Sequence, residues 1–140
     1  RAADAAATYA RAERAGRRSD PRALAMYYAD RDREHEAAVT LARRELAQRP
    51  DDIYTLDALA WALCRAGQLD EAARLIGRAR RIHTRDARFA FHAGMIALAL
   101  GHRPEAATLL REALATNAHF DARGAAEARR ALATLGDAGA

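Results

Sequence analysis

An all-α fold of stacked antiparallel helix pairs is predicted for this 140-residue chain by three observations. Alanine, the strongest helix former, supplies much of the 51% hydrophobic content, and the β-branched residues that favour strands are scarce. Gly67 and Gly101 stand 34 residues apart (101 − 67), inside the related stretches AGQLDEA (66–72) and LGHRPEA (100–106). Each of these glycines is flanked by two apolar-periodic segments of helical length. Because small side chains bury little area each, such helices must approach closely to make a core.

The elements follow in order. Ser-Asp-Pro at 19–21 breaks and restarts the chain, and Ala38, Leu41 and Ala42 mark a helix ahead of Pro50. Asp51 and Asp52 suit a helix start, and the spacing of Leu56, Leu59, Ala60 and Leu63 predicts a helix over 53–65. Gly67 ends it, since glycine takes the left-handed conformation without steric cost. Ala72, Leu75, Ile76 and Ala79 predict a helix over 69–82, with Asp70 near its start. The same positions return 34 residues on: Ala93, Gly94 and Ala97 over 87–99, then Gly101, then Ala106, Leu109, Leu110 and Ala113 over 103–115. Pro104 is tolerated at that helix start because its missing N–H would be unpaired there anyway. A last helix is expected over 121–134.

A 34-residue helix–turn–helix period resembles the tetratricopeptide repeat family, whose pattern is W-x2-L-G-x2-Y, then A-x3-F, then P. Leu56, Leu59, Ala60 and Leu63 occupy the first group and Ala72 and Ile76 the second; Ala90, Ala93, Gly94, Ala97, Ala106 and Leu110 repeat them. The unit 19–52 fits more loosely, through Arg22, Ala25, Met26, Ala29, Ala38, Ala42 and Pro50. Arg33 stands there in place of the turn glycine and Glu45 in place of a small residue, so a longer or distorted turn is expected. Thr84 and Ala118 replace the closing proline. Ala5, Tyr9 and Ala12 match the spacing of a second repeat helix, which makes residues 2–16 half a unit. The resemblance implies a right-handed α-solenoid in one domain, 1–140: half-repeat 2–16, repeats 19–52, 53–86 and 87–120, and a capping helix at 121–135. The orphan half-repeat implies further repeats ahead of Arg1.

In that family the first helix of each unit lines a concave surface where ligands bind. Carried onto this sequence, the resemblance implies a groove walled by Tyr27, Tyr54, Trp61, Phe91 and Met95, with polar contacts from Arg31, Asp57, Arg65, Arg88 and His92. Aromatic residues and arginine dominate interface energetics, which suits a peptide or helix of a partner protein. The family's carboxylate clamp for chaperone tails has no counterpart: its positions carry Ala23, Tyr27, Ala58, Arg88 and His92, without asparagine. Packing within a tight superhelix is the alternative role for the same large side chains.

Other chemistry finds little support. The 23 basic residues, all arginine, are mixed with 19 acidic ones for a net charge of +4, a pattern of a salt-bridged surface rather than a clustered nucleic-acid face. ARAERAGRR (10–18) and GRARRIHTR (77–85) keep phosphate binding as a lesser alternative. None of His35, His83, His92, His102 and His119 is paired with another histidine or a cysteine one helical turn away, so neither metal nor cofactor is expected. There is no phosphate loop or nucleophile elbow, and Ser19 is the sole serine; no catalytic residue is assigned. Cys64, the single cysteine, excludes an internal disulfide, and no apolar run is long enough to span a membrane. The chain reads as a processed product or fragment whose compartment is open, with the cytoplasm as default and export after removal of a signal peptide as the alternative. Homotypic stacking through the terminal helices is the second functional expectation.

Overall fold

The computed structural model describes residues 7, 10–15, 20–82 and 85–138, and among them it is helical without a strand. Seven helices run in order: α1 (Pro21–Asp30), α2 (His35–Gln48), α3 (Ile53–Arg65), α4 (Leu69–Arg80), α5 (Ala87–Ala99), α6 (Arg103–Thr116) and α7 (Ala122–Ala138). Residues 7 and 10–15 are also helical; the other residues of the expected half-repeat 2–16 lie outside the described ones, as do His83 and Thr84.

The helix ends show why the chain folds back where it does. Asp20, Asp52 and Asp86 cap α1, α3 and α5, each side chain accepting a backbone N–H of the first turn. At the other end of α3, Gly67 (φ +80°) turns the chain, and Gln68 N–H reaches back to Leu63 O at 2.9 Å. Gly101 (φ +83°) does the same after α5, with His102 N–H on Ala97 O at 2.9 Å. This is one helix cap used twice, 34 residues apart.

After α1 the cap recurs without glycine. Arg33 N–H bonds Tyr28 O at 3.0 Å, and Asp32 takes the left-handed position at φ +52°. Glu34 also lies at +52°, and the connection holds four residues, 31–34, where those after α3 and α5 hold three. The distorted first turn expected from Arg33 is present, but Asp32 rather than Arg33 is the counterpart of Gly67. The offset there is therefore 35 residues (67 − 32), not 34, which rotates α1 by one residue against the sequence alignment.

Packing follows the order of the chain. Each helix packs on the next, and α1, α3, α5 and α7 also pack on one another in succession, forming an inner row. Inner helices are consequently covered on several sides: every residue from Thr55 to Leu63 of α3 is buried. The outer helices are one-sided, α4 burying only Ala72, Leu75, Ile76 and Ala79. Ala60, Ala72 and Ala106 have no exposed surface, and a Cβ on Gly94 would sit 2.8 Å from Leu110 Cδ2. Small residues therefore stand where the helices approach most closely. Arg43–Glu71 and Arg80–Glu112 pairs, at 2.8 and 3.2 Å, link successive outer helices across the surface.

Candidate functional site

The inner row brings five of the ten sequence-derived groove residues to one open cleft of about 370 Å³. Tyr27 and Arg31 come from α1 and the residue after it, Tyr54 and Asp57 from α3, and Arg88 from α5. The Arg31 guanidinium lies 3.8 Å from the centre of the Tyr27 ring, a cation–π stack. Tyr54 is 45% exposed and rests edge-on against Phe89 at 5.6 Å. The Arg88 side chain is 57% exposed, with Asp86 3.6 Å away at the helix start. Ala23, Asp30 and Asp86 also line it, and Arg22, Met26 and Phe89 complete the walls. Sequence reasoning omitted these three: the one-residue rotation of α1 turns Arg22 and Met26 inward, and nothing in the pattern marked Phe89 as a wall.

The other half of the expected groove is closed. Trp61, Phe91 and His92 are 1–2% exposed, and their rings form an interior network that meets the cleft at Asp57, itself only 3% exposed. The Trp61 indole N–H donates to Asp30 Oδ1 at 2.9 Å, His92 stacks on Trp61 at 4.5 Å, and His92 Nδ1 is hydrogen-bonded to Asp57 Oδ1 at 2.7 Å. Burial lifts the Asp30 carboxyl above its ordinary range; the Trp61 hydrogen bond and nearby His92 and Arg65 act against this, while Asp121 reinforces it. Asp30 was not among the expected groove residues. Its pairing with Trp61 depends on a tertiary approach that no local spacing reveals.

Helix α7 is what closes this half. Glu127 takes hydrogen bonds of 3.0 Å from both terminal nitrogens of Arg65, whose Nε donates to Ala29 O at 2.8 Å and whose plane lies 4.1 Å from the Trp61 ring. Phe120, just before α7, packs on Phe91 at 5.4 Å. Ala128 shares a buried cluster with Trp61 and Phe91, and Leu132 and Leu135 pack against it. The last helix was expected to cover the final repeat, α5 and α6; it extends further, to Arg65 of α3. A helix with alanine on its buried side can lie this close to two aromatic rings.

Met95 lines a smaller hollow of about 250 Å³ with Trp61, Cys64 and Arg65. Burial pushes the Cys64 thiol up to about 11, so it is not a thiolate near neutral pH. Among the described residues no three His, Cys, Asp or Glu side chains gather as a metal ion would require, and no helix is long and apolar enough to cross a membrane. Neither a protein-family model nor a curated protein matches the chain.

Proposed function

We infer that the chain is a non-catalytic binding scaffold of tetratricopeptide type, a right-handed superhelical array that holds a peptide or helix of another protein on its inner row. The observation that carries this is the cleft at α1, α3 and α5, where exposed Tyr54 and Arg88 stand beside the stacked Tyr27–Arg31 pair. Rigid aromatic rings supply contact area at low entropy cost, and arginine supplies directional hydrogen bonds, the combination found at interface hot spots. The recurrent glycine cap supports the repeat architecture. Its fit is to a segment that lays an apolar side chain against the tyrosines and a carboxylate against Arg88.

The outer arginines weigh against phosphate binding as the main role. Arg43 and Arg80 are already paired with Glu71 and Glu112, so a nucleic acid would have to break those bonds. A peptide-display selection on the whole chain tests the proposal. Selected peptides are expected to lose tenfold or more in affinity, about 1.4 kcal/mol, on Tyr54→Ala or Arg88→Glu. Peptides that bind both variants as well as the parent chain would place the function elsewhere.

A further inference from the structure

Helix α7 packs on α6 and α5 and reaches across to Arg65 of α3. Its partners do not depend on it: Arg65 is already aimed by Ala29 O and by the Trp61 ring, so the cation and its aromatic floor belong to α1 and α3 alone. Its own contribution is one contiguous stretch, with Phe120, Glu127, Ala128, Leu132 and Leu135 making the contacts. Ala128, Leu132 and Leu135, at four- and three-residue steps along one amphipathic helix, make a pattern that a helix of another protein can imitate. The hold is modest. Among the described residues, Arg65–Glu127 is the one side-chain ion pair that joins α7 to the earlier helices, and Arg129 bonds only Ala118 O in the preceding connection. The buried part of α7 is made of Gly124, Ala125 and Ala128, which remove little apolar area from water. Docking also brings Asp121 near Asp30, two groups of the same sign.

From this arrangement we propose that α7 is an internal occupant of a helix-binding surface formed by α5 and α6 and extended to α3 by Arg65, and that its competitor is an outside amphipathic helix. That helix carries a carboxylate for Arg65 and presents small, then leucine-like, side chains to Trp61 and Phe91. The proposal rests on the inner row being the binding face and lengthens the site beyond the cleft. Release of α7 would uncover Trp61 and Phe91, two rings that the cleft alone leaves inaccessible.

The test uses the full chain and a fluorescent peptide of residues 117–138, read by anisotropy. In the parent chain the attached α7 competes at an effective concentration on the order of millimolar. An Ala128→Asp chain puts a carboxylate on a fully buried position and loosens its own α7. It is expected to bind the peptide at least tenfold more tightly than the parent does, and a peptide carrying Glu127→Arg is expected to bind neither chain. Equal binding by the two chains overturns the proposal. So does absence of binding to Ala128→Asp while circular dichroism shows the remaining helices intact. Should Ala128→Asp unfold the whole chain, Glu127→Gln replaces it; a several-fold gain is expected, and no gain overturns the proposal. Arg43→Gln, on the outer surface, is expected to leave peptide binding unchanged; the cleft reading is tested by its own selected peptides, so failure here and failure there are read separately.

Discussion

At Asp30 burial and charge are opposed. Its carboxyl is raised above the ordinary range, chiefly by desolvation, although it accepts the Trp61 N–H. The folded state therefore holds the proton more tightly than the unfolded state does. The linked stabilisation is complete below the unfolded value of 3.8 and is lost as pH rises through the folded value. At neutral pH the charge at this position opposes folding. Asp30→Asn keeps an oxygen for the indole and removes the charge. Its stability advantage over the parent is expected to grow as pH rises from about 4 to 7 in urea melts; an advantage independent of pH would show that the carboxyl does not titrate differently on folding.

At the scale of the element, the turns decide the fold. Gly67 and Gly101 are left-handed, and an added Cβ would meet nothing within 4 Å at either, so the cost of substitution is conformational alone. Gly67→Ala and Gly101→Ala are each expected to lose about 1 kcal/mol in thermal or urea unfolding. Asp32→Gly, which relieves a non-glycine residue at φ +52°, should gain about 0.5 kcal/mol. A loss on Asp32→Gly would mean that its 2.8 Å contact with His35 outweighs the backbone strain. These same glycines made the helices readable: the expected spans 53–65 and 87–99 coincide with α3 and α5. Without a glycine after α1 there was no marker for the extra residue, and the alignment set Tyr27 opposite Trp61 where the cap geometry sets Met26 (61 − 35). Helical periodicity identifies which face of a helix is apolar. It does not say whether a distant helix will cover that face, which is why Tyr54 and Arg88 stay accessible while Trp61, Phe91 and His92 do not.

For the whole molecule, the bond between Arg65 and Glu127 joins positions 62 residues apart. A stack in which each pair touches only its neighbours behaves nearly as a one-dimensional chain, free to open from either end. Arg65 changes that by bonding α1 through Ala29 O and α7 through Glu127, so two helices that are not neighbours in the stack are coupled through one guanidinium. The pair is 14% and 22% exposed, less screened than the surface pairs Arg43–Glu71 and Arg80–Glu112. Exposed pairs contribute about 0–1 kcal/mol, and partly buried charged hydrogen bonds contribute more. A double-mutant cycle of Arg65→Gln and Glu127→Gln is therefore expected to give a coupling of about 1–2 kcal/mol. Amide exchange supplies the spatial check. Arg65→Gln should accelerate exchange both across α7 and in the last turn of α1, with little change in α4, on whose side of the molecule Arg65 makes no bond. Acceleration confined to α7 would mean that α1 and α7 respond independently, and the chain would then open from its C-terminal end as a linear stack does.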